Sequence, residues 1–175
     1  MTVRIETERL ILRPIEPRDC DDHIAMMSDP LVADTLGGLQ PRDLLWRQFA
    51  SYLGHWSIRG YGWFSVEERN SGAWLGRVGP WMPEGWPGLE CGWTIASAAW
   101  GKGYAPEAAI GATKWIFAQF PDLPRIISTI DPSNTKSQAV ARKIGETKTD
   151  ETFDFSGFKL DVWAADRASW LSRFG

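Results

Sequence analysis

The stretch that most constrains this chain runs from Leu89 to Ala109, and it reads as a strand, a glycine-bearing turn and then a helix. Leu89, Cys91, Trp93 and Ile95 alternate with Glu90, Gly92 and Thr94, which is the period of a half-buried strand. Gly101 and Gly103 follow, and Pro106 falls in the first helical turn, where a backbone N–H has no partner in any case. Ala109, Ala112, Ile116 and Phe120 then recur at helical spacing and form an apolar face. A helix start fed by glycines aims several free N–H groups at one point. Such a point attracts anionic oxygens, above all phosphate.

Two phosphate-binding patterns can be tested against this stretch. A Walker A loop needs a glycine five residues before the Gly-Lys pair, where Ala96 stands, and a Ser or Thr after the lysine, where Gly103 stands. A dinucleotide fingerprint needs its third glycine where Pro106 sits, and places the loop early in a βαβ unit. Neither pattern fits.

The bounds set by composition are those of an ordinary globular domain. At 175 residues the chain is read as a single domain spanning 1–175. A core of this size buries roughly 70% of the unfolded chain's surface, so it needs no metal or disulfide staple. A net charge of −3 gives no support for nucleic-acid binding. Cys20 and Cys91 have no metal-ligand spacing and are expected to be reduced thiols in a cytoplasm. The N-terminal residues carry no signal-peptide run, and no stretch has the length of a membrane span. Eleven tryptophans are the unusual number, and they suggest large flat walls and a homodimer surface.

Taken in order, Thr7–Pro14 opens with a strand whose Leu10 and Leu12 share a face. Asp19 or Asp21 caps a short helix that ends at Ser28-Asp29-Pro30. A second helix starts at Pro41, with Leu45, Phe49, Leu53 and Trp56 along one face and Leu44 and Tyr52 beside them; Gly60-Tyr61-Gly62 breaks it. Trp63–Glu67 and Ala73–Gly79 form a hairpin around Asn70-Ser71-Gly72, and Pro80–Gly88 is a loop carrying Trp81 and Trp86. After the central stretch come a strand at Arg125–Ile130, a helix at Thr135–Ile144 closed by Gly145, and a hairpin over Thr147–Trp163 turning at Ser156-Gly157. A short polar helix or tail ends the chain. This order predicts an α/β (α+β) domain, a mixed sheet covered by helices.

Trp100-Gly101-Lys102-Gly103-Tyr104-Ala105 resembles the core motif of the GNAT superfamily of N-acetyltransferases, Gln/Arg-x-x-Gly-x-Gly/Ala, from its second position onward. Trp100 in place of Gln or Arg resembles the branch containing the ribosomal-protein-alanine N-acetyltransferases. Thr7-Glu8-Arg9-Leu10-Ile11-Leu12-Arg13-Pro14 is similar to the N-terminal strand of that branch, and Asn134 to Gly145 is similar to the family's Asn-x-x-Ser-(x)5-Lys-x-Gly motif. The resemblance implies a mostly antiparallel sheet with helices on both faces, whose two central strands splay apart around acetyl-CoA, with no metal. It further implies that Gly101, Lys102, Gly103, Tyr104 and Ala105 hold the diphosphate. Gly103 is the position least able to take a side chain. The backbone of Trp93, Thr94 and Ile95 pairs with the pantetheine arm and offers an oxyanion donor. Asn134, a candidate catalytic residue with Glu90 and Ser137, caps its own helix and also hydrogen-bonds the cofactor arm or the substrate.

The implied reaction is acetyl transfer from acetyl-CoA to a primary amine, by direct attack in a ternary complex. The acceptor is a protein N-terminus or a small molecule. Glu90 is the leading candidate for the base and His55 the alternative. The tyrosine that reprotonates the leaving thiolate in many relatives is Ala141 here, and Ser137 is the nearest substitute. His55, Trp56, Trp63, Trp81 and Trp86 are the candidate acceptor walls. Cys91 faces away from Glu90 and has no His partner, which argues against an acyl-cysteine. A non-catalytic acyl-CoA sensor is the alternative reading.

Overall fold

The computed structural model describes residues 3–175. Its centre is an eight-stranded sheet made of β1 (Ile5–Glu6), β2 (Leu10–Pro14), β3 (Phe64–Glu68), β4 (Trp74–Trp81), β5 (Glu90–Ile95), β6 (Arg125–Ile130), β7 (Thr147–Phe155) and β8 (Phe158–Asp166). The spatial order is β1-β2-β3-β4-β5-β6-β8-β7, and every neighbouring pair is antiparallel except β5 and β6. The helices are α1 (Cys20–Met27), α2 (Pro30–Ala33), α3 (Arg42–Arg59), α4 (Tyr104–Gln119), α5 (Thr135–Lys143) and α6 (Arg167–Phe174). This is the mixed sheet with helices on both faces that the sequence predicts. Among the described residues no helix is long and apolar enough to cross a membrane.

The two faces of the sheet are built differently. One face presents Leu10, Leu12, Phe64, Val66, Val78, Cys91 and Ile95 to the Ala-rich side of α4, where Ala108, Ala109, Ala112 and Ile116 are fully buried. Small side chains let that helix lie close, and each buried Leu or Ile contributes about 1.5–3 kcal/mol. The other face carries polar side chains under α1 and α3. There Arg13 makes a bidentate pair with Asp19, at 2.6 and 2.8 Å. Ser65 Oγ donates to the same carboxylate at 2.6 Å. Asp19 precedes α1 but caps none of its N–H groups. Its carboxylate is taken by Arg13, by Ser65 and by the Glu16 N–H at 2.8 Å, the last closing a capping box around the 3-10 turn Pro17–Asp19. This corrects the expectation of an aspartate cap on α1.

Other differences have equally local causes. β4 continues through Pro80 and Trp81 instead of ending at Gly79. Pro80 is opposite Cys91 in a pair that sends its missing N–H toward β3, and β3 begins only at Phe64, opposite Val78, so no ladder bond is lost there. β5 is buried on both faces, not half-buried, because the side carrying Glu90 and Thr94 is roofed over. On α3 the buried positions are Leu45, Phe49, Tyr52 and His55, and Leu44 is exposed. The C-terminal helix is not polar throughout, since Trp170 is buried and its indole N–H donates to the Ile144 carbonyl at 2.8 Å. Among the described tryptophans only Trp46 is exposed; Trp63, Trp163 and Trp170 are buried and the others half-buried.

Candidate active site

The site begins where the sheet fails to close. β5 and β6 are paired at Glu90 and Ile127 alone. The Ile127 N–H reaches the Leu89 carbonyl at 3.2 Å, and beyond that side chains bridge the widening gap. Ser128 Oγ donates to the Cys91 carbonyl at 2.9 Å, and Thr129 gives Oγ1–H and N–H to the Glu90 carboxylate at 3.0 and 3.4 Å. On its other edge β5 is zipped to β4 over its whole length. The Ala96 N–H to Leu75 carbonyl bond fixes the alternation, so Thr94 and Gly92 turn their backbones to β4 and Trp93 and Ile95 turn theirs to the gap. The Ile95 carbonyl is taken by the Trp100 indole N–H at 2.7 Å. Of the expected trio, Trp93 and Ile95 therefore offer backbone to a ligand arm, whereas Thr94 offers only its side chain.

Below this gap lies a cleft of about 470 Å³ between the glycine turn and α5. Gly101 and Gly103 have φ of 75° and 80°, a left-handed conformation that side chains strain to adopt. Gly103 is the N-cap of α4, whose first residue is Tyr104, so Pro106 is third in the helix. Gly101, Gly103, Tyr104 and Ala105 line the cleft. Lys102 does not; its side chain is exposed, and its carbonyl is held by Arg9 Nη1 at 2.8 Å. The cations that do line it are Lys136 and Lys143; Lys143 is the lysine of the Asn134–Gly145 motif, but sequence reading assigned neither to the phosphates. Their spacing of seven on α5 was the available signal.

The N-terminal strand and the glycine turn prove to be one unit. Glu107 in the first turn of α4 accepts from Thr7 Oγ1 (2.6 Å), Arg9 N–H (2.8 Å) and Arg9 Nε (2.7 Å). Arg9 also lies over the Tyr104 ring at 4.8 Å, and the Tyr104 hydroxyl donates to Glu68.

Above the gap is a second cleft of about 560 Å³, which shares Trp93, Thr94, Asn134 and Ser137 with the first. Glu90 lies in its wall, 7% exposed. Burial pushes its carboxyl up to about 6, against the hydrogen bonds from Trp86 and Thr129 and the positive charge of Arg77, which pull it down. The Trp86 indole N–H is 2.6 Å from it. Trp63, Trp81 and Trp86 line this cleft as expected. His55 and Trp56 do not. His55 is buried, its ring Nδ1 2.7 Å from the Tyr61 carbonyl, and it stacks on Trp81 at 4.5 Å. Trp56 donates to the Trp63 carbonyl and packs on Phe64 behind the wall. A histidine in that position is a packed core group, not a base.

At the junction, Asn134 caps α5 by accepting from the Ser137 N–H at 3.0 Å, and its amide donates to Thr35 at 3.0 Å. Ser137 Oγ accepts from the Trp93 indole N–H at 3.3 Å, which leaves its own proton free to donate. Cys91 is fully buried beneath, with its thiol pushed up to about 12 by burial. No three His, Cys, Asp or Glu side chains converge as a metal set among the described residues. Arg77, in the wall of the upper cleft, was not foreseen.

Two clefts, one glycine-cradled and one with a buried carboxylate, thus meet at a splayed pair of parallel strands and form the candidate site. The model of the GNAT acetyltransferase domain matches residues 9–147. An uncharacterized Bacillus subtilis protein, YkkB, is 32% identical over 151 residues, covering 81% of this chain and 84% of its own. An acetyltransferase from Agrobacterium tumefaciens is 30% identical with a TM-score of 0.84, covering 94% of this chain and 95% of the other. Spermidine N-acetyltransferase from Vibrio cholerae, solved with CoA and spermine, shares the fold at 18% identity (TM-score 0.73, 94% and 99% covered). The chain belongs to the GNAT acetyltransferase family, whose members take their acetyl group from acetyl-CoA.

Proposed function

We propose that this protein transfers the acetyl group of acetyl-CoA to a primary amine by direct attack, with acetyl-CoA in the lower cleft and the amine in the upper one. The observation that carries this reading is the shared wall at Trp93, Thr94, Asn134 and Ser137, where a thioester and an amine can meet. The diphosphate rests on the N–H groups of Gly101, Gly103 and Ala105, with Lys136 and Lys143 alongside and Lys102 contributing at most its backbone. Free thiols at Cys20 and Cys91 suit a reducing cytoplasm.

Glu90 takes a proton from the bound ammonium. Desolvation in the aromatic cleft lowers the amine's pKa and narrows the gap to a carboxyl near 6. The nitrogen lone pair then attacks the thioester carbon. The carbonyl oxygen, now negative, accepts from a backbone N–H of the Trp93–Ile95 segment, an interaction of about 3 kcal/mol in such sites. The C–S bond breaks with its electrons on sulfur, and the surplus proton on nitrogen reaches the thiolate through the Ser137 hydroxyl. Glu90 returns its proton to water. The test is CoA-thiol release with a panel of peptides and small amines. Turnover with at least one amine is expected; tight acetyl-CoA binding without turnover across the panel would instead favour a sensor.

A further inference from the structure

The upper cleft contains a cation that the chemistry above does not use. Arg77 is 6% exposed, projects from β4 opposite Thr94, and lines the cleft. Among the described residues it makes no ion pair, and its Nε and Nη1 are buried without a hydrogen-bond partner there. The guanidinium lies 4.1 Å from the Trp63 ring centre and 4.8 Å from that of Tyr52. The ring on which it rests supplies a third buried donor without an acceptor, the Trp63 indole N–H. Native proteins rarely leave such donors unpaired, and a guanidinium left so is the most costly case. Two rings hold the fork fixed, and its geometry matches a carboxylate in bidentate fashion.

The same face sets the spacing. Arg77 and Glu90 share one side of the β4–β5 ladder, on neighbouring strands and about 13 Å apart measured along the strand direction. Gly92 lies between them, and a Cβ there would strike the Trp63 ring at 2.3 Å. Between the two positions the ladder carries the Gly79–Gly92 pair, and the flat Trp63 ring lies over Gly92. Asp34, Glu90 and Asp131 are the other charged side chains of the cleft, so among the described residues Arg77 is its single cation.

From this we infer that the acceptor carries its own carboxylate: an amino acid, with its amine at Glu90 and its carboxylate on Arg77. The inference rests on the acetyl-transfer reading and narrows its acceptor class. A polyamine brings only positive charge and would leave Arg77 facing a like charge with its donors still unpaired. Arg77 is thus a specificity residue of the acceptor cleft.

The experiment compares kcat/KM for matched pairs that differ only at the carboxylate. Suitable pairs are L-phenylalanine with L-phenylalaninamide and 4-aminobutyrate with its amide, each corrected for amine ionisation, with spermidine alongside. The wild-type protein should prefer the acid of at least one pair by about tenfold or more, a typical margin for a desolvated charge-assisted pair. In Arg77→Gln that ratio should fall to about one, and Arg77→Lys should retain part of it. A purely structural arginine would lower acid and amide alike and leave the ratio unmoved. A wild-type ratio near or below one in both pairs overturns the assignment without any variant, as does a ratio that survives in Arg77→Gln. Turnover of spermidine or amides without acid preference sinks this inference alone. Release of no CoA with any amine sinks the acetyl-transfer reading and this inference with it.

Discussion

The two clefts on either side of the β5–β6 gap are made of different material. The lower one is backbone: two left-handed glycines, a helix start and the unpaired edge of Trp93 and Ile95. The upper one is side chain: Glu90, Arg77 and a set of aromatic rings drawn from strands and loops far apart in the chain. A backbone cradle is encoded locally and tolerates little change at the glycines. A side-chain cleft is assembled from distant residues and can be retuned one position at a time. That difference fits a family that keeps one donor and varies its acceptors.

The comparison breaks first at Gly103. Gly103→Asp adds a side chain at φ 80° and a negative charge at the phosphate cradle. Acetyl-CoA affinity by calorimetry should fall more than 100-fold while the far-ultraviolet circular dichroism is kept, an estimate from strain and like-charge repulsion together. Affinity within a few-fold of wild type would move the phosphates elsewhere. Next comes the brace behind the cradle. Arg9→Ala removes the guanidinium's bonds to Glu107 and the Lys102 carbonyl, and acetyl-CoA binding should weaken by about tenfold, with amine KM little changed. An effect on the amine alone would show that the brace serves the wrong cleft.

The smallest expected effect concerns the floor beneath the gap. Glu146 is 1% exposed, and Ser128 Oγ is 2.9 Å from both its carboxyl and the Cys91 carbonyl. A hydroxyl has one proton, so Ser128 donates to Cys91 while a protonated Glu146 donates to Ser128. Burial raises the Glu146 pKa well above its ordinary value of 4.5. The folded state therefore keeps a proton that the unfolded state releases. Stability from this group is full below about pH 4.5 and declines as pH rises toward the folded pKa, by about 1.4 kcal/mol per unit. Glu146→Gln keeps a donor and removes the titration. Its melting temperature should gain on wild type as pH rises from 5 to 7, and a gap that is constant with pH would contradict a protonated Glu146.

The same contrast explains what could be read without the structure. The glycine turn, the α4 helix and the hairpin at Ser156-Gly157 are local patterns, and each stands where expected. Glu90 was legible because strand alternation set it opposite Cys91. Arg77 was not, because an arginine between Gly76 and Val78 reads as a solvated strand residue. Only the packing of Tyr52 from α3 and Trp63 from the segment before β3 makes it buried. His55 and Trp56 were misassigned for the reverse reason. Helical spacing gives their face of α3, but not that the adjoining rings close over it.

The most direct test of Glu90 as the base that serves the acceptor cleft is the pH dependence of kcat/KM for wild type and Glu90→Gln with one amine of known pKa. In wild type the rate should rise through a midpoint near 6, where Glu90 gives up its proton, and then level off below the amine's own pKa. Glu90→Gln should be about 100-fold or more slower at pH 7 and should keep climbing with pH toward the amine's pKa, with no inflection near 6. Superimposable profiles for the two proteins would contradict Glu90 as the base.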